Sequence, residues 1–209
     1  MHELLDYART RILRGRIVLL WLIVLCACLA AGPVGGAGRI VWLAGACALL
    51  IAQFRLWDDL EDVAHDSVHH PERTLVRSAD RDRFHALLGV SIIALVPLLG
   101  VFAGKFHAVV YLALVAGFGL LYRLVRALAL RRFVRSMLVL TKYPAFVLLL
   151  AGDPWRMWTV AVAMTLYLVL AVYEWRHDPK LVRERAALSV IAGIGSICAA
   201  LWIGQELMR

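Results

Sequence analysis

Seven apolar runs constrain the fold of this chain more strongly than any other feature of its sequence. They cover roughly residues 17–32, 39–56, 84–104, 106–123, 134–152, 156–174 and 186–205. Each is as long, or nearly as long, as the ~20 helical residues that cross a hydrocarbon layer. Helices would satisfy their backbone groups in lipid, and the strict alternation of a barrel strand is missing. We therefore expect an all-α, polytopic transmembrane helix bundle of about seven spans, in a single domain over residues 1–209.

Composition and charge agree with this class. Hydrophobic residues make up 62% of the chain, whereas soluble domains contain only ~45–50%. The net charge of +8 comes from basic residues that flank the runs, where they meet anionic headgroups, so no nucleic-acid partner is expected. The cysteines fall inside the runs without zinc-ligand spacing and are interpreted as packing residues; they are Cys26, Cys28, Cys47 and Cys198.

The basic residues also predict the orientation of the chain. Eighteen of the 23 Lys and Arg residues lie before the first run or at the connections that follow the second, fourth and sixth runs. The opposite side has only Arg39, Lys105, Arg156 and Arg209. Cytoplasmic connections of membrane proteins carry the excess of basic residues. We therefore expect a multi-pass protein of the inner (plasma) membrane with its N-terminus in the cytoplasm.

An acidic stretch follows directly on the second apolar run, on the predicted cytoplasmic side. "FRLWDDLEDVAHDSVHHPERTL", residues 54–75, places five carboxylates in nine positions. If the helix continues through it, Asp59, Asp62 and Asp66 lie within about 60° of one another on one face. Arg55 lies one turn before Asp59, but one arginine does not balance three acids. The spacing indicates a Mg²⁺-bridged phosphate site, and the alternative is a solvated helix end.

The same stretch resembles a known motif. "DDLEDVAHD" followed by "HPER" is similar to the first aspartate-rich motif of the UbiA superfamily of intramembrane prenyltransferases, NDxxDxxxD with a nearby His-Pro-x-Arg. Asp58 takes the Asn position, and the other matching residues are Asp59, Asp62, Asp66, His70, Pro71 and Arg73. The motif also lies where this family has it, at the end of the second helix.

Two further motifs extend the resemblance. The family's second acidic motif, DxxxD, follows its sixth helix, and "YEWRHDPKL" here places Glu174 and Asp178 at that spacing, with Glu in the first position. A Tyr followed four residues later by a basic residue ends the family's fourth helix. "LLYRLVRAL" supplies Tyr122 and Arg126 at that place.

The resemblance implies a fold, an activity and a cofactor. Two Mg²⁺ ions, held by Asp59, Asp62 and Asp66 and by Glu174 and Asp178, would bind the diphosphate of an allylic prenyl donor, and an aromatic or other lipophilic acceptor would receive the prenyl group. The implied substrate-binding residues are Arg55, Asp58, Arg73, Tyr122, Arg126 and Lys142. The family has nine helices, so this chain would lack the last two, and a homo-oligomer is one way to close the helix ring.

Several alternatives stay open at this point. The same metal site could serve a terpene cyclase, or the chain could be a non-enzymatic membrane protein such as a divalent-cation carrier or a partner subunit. Lys142, inside the fifth run, either faces a polar cavity that holds the diphosphate, or snorkels towards the interface, or shows that the fifth span is shifted by one turn. His65 and His69 are one turn apart and could ligate a transition metal, although a solvated helix end explains them better.

Overall fold

The described part of the chain is helical. The computed structural model describes residues 2–33, 35–127, 132–153, 156–178 and 185–207, apart from the side chains of residues 126–127, 132–133, 185–187 and 205–207. All regular elements in these ranges are helices, which confirms the all-α prediction. They are α1 His2–Tyr7, α2 Gly15–Ala31, α3 Ala37–Glu61, α4 Val63–His69, α5 Thr74–Arg77, α6 Asp82–Phe102, α7 Lys105–Ala127, α8 Arg132–Leu140, α9 Lys142–Leu150, α10 Met157–His177 and α11 Arg185–Leu207. A π-helical turn, Ala8–Ile12, continues α1.

Four helices in the described ranges are long and apolar enough to cross a membrane: α3, α6, α7 and α10. A fifth span results if residues His2–Ile12 and α2 are counted as one, although the two parts are bent by 66°. These helices agree with a membrane protein, as the apolar runs predict. The count of seven spans and the UbiA-like arrangement stay predictions.

The fifth predicted span differs most from the structure. Residues 134–152 do not form one helix, because α8 ends at Leu140 and α9 begins at Lys142. Pro144, in the first turn of α9, has no N–H to donate to the carbonyl four residues earlier, which favours a break there. The Thr141 hydroxyl donates to the Leu138 carbonyl at 2.6 Å, so it occupies the acceptor that the N–H of Lys142 would use in a continuous helix. The seventh run, 186–205, lies within the single helix α11, Arg185–Leu207.

The chain divides into two compact units, each described here by itself. Unit 1 comprises Met1–Leu25 and Ala37–Val109. In it, α3 packs on α6, and α1 packs on α5. Its core contains Tyr7, Leu56, Leu75, Phe84 and Leu88. This core fixes the N-terminal segment beside the C-terminal end of α3.

Unit 2 comprises Cys26–Gly36 and Val110–Arg209. Helix α10 is its centre and packs against α8, α9 and α11. The Trp158 indole donates to the carbonyl of Ala30 at 2.7 Å and lies edge-on to Trp202, with ring centroids 4.7 Å apart. These contacts hold α10, whose C-terminal end carries the second acidic pair. The single domain predicted for residues 1–209 stays a prediction.

The four cysteines are free thiols. Cys28, Cys47 and Cys198 are buried, in agreement with packing residues, whereas Cys26 is exposed.

Candidate functional site

The acidic stretch does not form one continuous helix with α3. Helix α3 ends at Glu61, Asp62 is a turn residue, and α4 begins at Val63. The break is slight, because the Asp62 backbone stays in the right-handed helical region, at φ −93° and ψ 0°. The Asp62 N–H donates to the Asp58 carbonyl at 3.0 Å, and the Asp66 N–H donates to the Asp62 carbonyl at 2.8 Å. The i→i−4 pattern thus crosses the junction, and the carboxylates keep roughly helical spacing.

Asp59 is the most heavily engaged carboxylate of the stretch. Its Oδ2 accepts hydrogen bonds from the Tyr7 hydroxyl at 2.9 Å and from Arg11 Nε at 3.0 Å. Its Oδ1 accepts from Arg11 Nη2 and lies 3.1 Å from Arg55 Nη2. The side chain is only 6% exposed. Because a carboxylate has about four acceptor positions, these donors leave Asp59 saturated.

The Tyr7 phenol is part of this arrangement. Burial and the neighbouring Asp59 carboxylate raise its pKa well above the ordinary tyrosine value. The phenol therefore stays neutral at physiological pH and acts as a hydrogen-bond donor to Asp59.

Asp66 connects the two halves of the motif. Its Oδ2 accepts from Arg73 Nη1, and its Oδ1 lies 3.7 Å from His65 Nδ1. The Asp66 side chain is 6% exposed and that of Arg73 is 28% exposed. The last aspartate of "DDLEDVAHD" and the arginine of "HPER" therefore form one ion pair, across seven residues of sequence.

The other polar residues of the stretch are more accessible. Asp58 and Asp62 are half-buried. Glu61 accepts from the Trp57 indole at 3.3 Å. His65 and His69 are exposed, and their rings stack with centroids 4.2 Å apart. Stacked rings of this kind suit a solvated helix end.

Arginines provide the positive charge for which the sequence suggested Mg²⁺. Arg55 contacts Asp59 as its one-turn spacing predicts, but Arg11 and Arg73 add two further cations. Sequence reasoning assigned Arg73 to substrate and missed both Tyr7 and Arg11. The basic N-terminus served only to predict orientation, and no local pattern relates it to residues about fifty positions later.

The fit of Mg²⁺ can be judged from the carboxylates. Mg²⁺ needs oxygen lone pairs, and those of Asp59 are occupied by arginine and tyrosine donors. In the part of the chain that the structure describes, no three His, Cys, Asp or Glu side chains form a group that could hold a metal ion. In this arrangement Asp59 does not fit the role of a magnesium ligand.

The second acidic pair lies at the end of α10, in unit 2. Asp178 follows the last helical residue, and its N–H donates to the Glu174 carbonyl at 3.0 Å. Both side chains are half-buried. Nearby, the Tyr173 ring stacks on His177 at 4.1 Å. Because the first motif belongs to unit 1, the predicted convergence of the two acidic motifs stays a prediction.

The remaining predicted substrate residues are also in unit 2. Tyr122 is buried, with its ring 6.1 Å from that of Phe118. The Arg126 side chain lies outside the described residues. Lys142 is 1% exposed and begins α9, and its Nζ lies 5.3 Å from the Tyr143 ring centroid. That distance allows a cation–π contact, and burial speaks against a side chain that snorkels to water.

A polar cavity of about 440 Å³ opens beside the first motif. Its lining comes from the N-terminal segment and the loop after α4, and consists of Asp6, Thr10, Arg11, Arg14, His70, Glu72, Arg73 and Thr74. Two of these arginines, Arg11 and Arg73, also contact the motif carboxylates. The cavity thus joins the acidic cluster to a set of guanidinium and hydroxyl donors.

Comparisons with known proteins add no assignment. The sequence matches no family model and no curated protein, and the fold matches no solved structure. Functional inference therefore depends on the motifs and on the geometry of the site.

Proposed function

We propose that the chain is a membrane-embedded prenyltransferase of the UbiA type. It would transfer a prenyl group from an allylic prenyl diphosphate to a lipophilic, aromatic acceptor. The proposal includes the plasma-membrane location, with the N-terminus and the acidic motifs on the cytoplasmic side. The observation that carries it is the ion pair between Asp66 and Arg73, because it makes the aspartate-rich segment and the His-Pro-x-Arg segment one unit at the end of a helix of membrane-spanning length.

The cavity beside the motif supports binding of a diphosphate. Arg11 and Arg73 each direct part of the guanidinium towards a carboxylate, and a guanidinium has five N–H donors in all. The donors that remain can form the paired hydrogen bonds with which arginine binds phosphate oxygens. Arg14 adds a third guanidinium to the lining. In the proposal these residues bind and orient the diphosphate while the prenyl chain lies among apolar helices.

Only the resemblance to the UbiA superfamily supports Mg²⁺ as the cofactor in this proposal. When bound, it would stabilise the negative charge of the departing diphosphate. Asp59 does not fit as its ligand, so we assign it no step. Of the two ions that the resemblance implies, Asp62 remains a candidate for holding one and Glu174 and Asp178 for holding the other, with Asp66 available only if Arg73 is displaced.

One observation favours a second candidate function. The saturation of Asp59 by arginine and tyrosine donors is what a structural ion cluster requires. A non-enzymatic membrane protein, such as a partner subunit, would keep the acidic stretch for that purpose. The two candidates differ in whether a prenyl diphosphate reacts.

The experiment measures diphosphate release. Protein purified in detergent is incubated with farnesyl diphosphate and an aromatic acceptor such as 4-hydroxybenzoate, with and without Mg²⁺. We expect release only with Mg²⁺, and a loss of about a hundredfold in Asp62→Ala, since mutating even the residues that support a metal ligand typically costs about 10–100-fold. Asp82→Ala is the matched control, because Asp82 is an exposed carboxylate outside the motifs.

The outcomes separate the candidate functions. Release without any acceptor would indicate a terpene cyclase, and Mg²⁺ flux in sealed vesicles without a prenyl donor would indicate a carrier. Equal rates for wild type, Asp62→Ala and Asp82→Ala, or no release with geranyl, farnesyl or geranylgeranyl diphosphate, would reject the transferase.

A further inference from the structure

The N-terminal segment, residues 3–12, contacts the acidic end of α3 and the following loop at regular intervals. The Ser78 hydroxyl donates to Glu3 at 2.8 Å, and the Thr74 hydroxyl donates to Asp6 at 2.7 Å. Tyr7 and Arg11 both donate to Asp59. Positions 3, 6, 7 and 11 have the i, i+3, i+4 and i+8 spacing of residues on one face of a helix, so they form one face of the segment.

Apolar packing holds the same face in place. Tyr7 is 2% exposed and lies edge-on to Phe84, with ring centroids 5.6 Å apart. Leu4 and Ile12 pack on the cluster that Tyr7 shares with Leu56. The segment is therefore a packed part of unit 1 whose polar anchor is a carboxylate of the acidic motif.

We propose that residues 3–12 form a strap that occupies the Asp59 carboxylate, so that Asp59 is the docking point of the strap and not a metal ligand. The proposal follows from the number of donors. Two donors come from the strap, 48 and 52 residues away in sequence, and Arg55 of the same helix supplies another contact. A cation could reach Asp59 only by displacing Arg11 or Tyr7. The strap does not depend on the transferase activity.

Hydrogen exchange of the full-length protein in detergent tests the strap. Asp59→Asn removes the charge and keeps the shape of the side chain. We expect amide exchange in residues 4–12 to accelerate about a hundredfold or more, which is the factor that corresponds to breaking a buried ion pair. Tyr7→Phe removes one hydrogen bond and should accelerate exchange there by about two- to thirteenfold. Asp58→Asn, the adjacent carboxylate, is the matched control and should leave the segment protected.

Metal binding provides the second measurement. Mn²⁺, as a spectroscopic substitute for Mg²⁺, is titrated into wild type and Asp59→Asn, and bound Mn²⁺ is followed by electron paramagnetic resonance. We expect the same Mn²⁺ binding in both proteins, and no change in exchange of residues 4–12 when Mg²⁺ is added to wild type.

Different results would contradict the strap and the conclusion that Asp59 is not a metal ligand. Unchanged exchange in both Asp59→Asn and Tyr7→Phe would reject the strap. Loss of a Mn²⁺ site in Asp59→Asn, or release of the segment by Mg²⁺, would restore Asp59 as a metal ligand. If Asp59→Asn does not fold, Tyr7→Phe and the Mg²⁺ addition to wild type still decide. Failure of the diphosphate-release assay would leave all of these results untouched.

Discussion

The ion pair between Asp66 and Arg73 gives the sharpest quantitative prediction. Unit charges whose centres lie about 4 Å apart attract by about 4 kcal/mol in an effective dielectric near 20. Breaking a fully buried pair costs about 3–5 kcal/mol, because the remaining charge stays desolvated. Asp66 meets that condition, at 6% exposed, but water reaches Arg73, at 28% exposed. We therefore expect Arg73→Gln to lower the free energy of unfolding by about 2–3 kcal/mol, below the range for a fully buried pair.

A double-mutant cycle separates the pair from the effects of each residue alone. The free energy of unfolding is measured for wild type, Asp66→Asn, Arg73→Gln and the double variant, by reversible SDS-driven unfolding in mixed micelles. Because the residues are in contact, the coupling energy should be about 1–3 kcal/mol. The double variant should be more stable than Arg73→Gln, since it leaves no unpaired charge. A coupling energy below about 0.5 kcal/mol, as for many exposed pairs, would refute the reasoning.

Three further predictions concern the packing within each unit and the docking of the strap. Phe84 is 1% exposed, so Phe84→Ala should lower the unfolding free energy by about 3–5 kcal/mol. Ile93 is 72% exposed, so the control Ile93→Ala should lower it by less than about 0.5 kcal/mol. Trp158→Phe should cost about 1 kcal/mol in the same assay, through loss of the hydrogen bond to Ala30. Strap docking can be measured by fluorescence from a label at residue 2. It should not change between pH 7 and about 10, and it should weaken about tenfold per pH unit above that. The reason is that docking raises the pKa of Tyr7, so it is favoured only while the phenol of the undocked strap is protonated. Tyr7→Phe should abolish this pH dependence.

The sequence predicted the helices well and their interruptions poorly. Long apolar runs predict helices because backbone groups in lipid have few other partners, and α3, α6, α7 and α10 follow the predicted runs closely. A hydropathy profile does not show the break at Thr141. Pro144 and the Thr141 hydroxyl, which bonds to the backbone, change the local hydropathy little. The short interruption at Asp62 is missed for the same reason.

The partners of the carboxylates were only partly predictable. Arg55 was found because it lies one turn from Asp59, and a local rule suffices. Tyr7 and Arg11 reach Asp59 from about fifty residues away, so only tertiary packing shows that the N-terminal segment lies beside the end of α3. Reasoning from spacing counted only Arg55 and suggested a metal ion for the remaining positive charge. Arg11 and Arg73 supply part of that charge, and the metal ion stays a prediction.

This difference changes which variants are informative about function. Asp59→Ala would release the strap whether or not Asp59 takes part in the chemistry, so a loss of activity in this variant could not be assigned to either role. Asp62 is half-buried at the junction of α3 and α4, whereas Tyr7 and Arg11 anchor the strap on Asp59. Loss of diphosphate release in Asp62→Ala, with exchange of residues 4–12 unchanged, would therefore isolate the chemical role of the motif from its structural role. Because arginine and tyrosine donors occupy Asp59, the informative test of function is a substitution at Asp62.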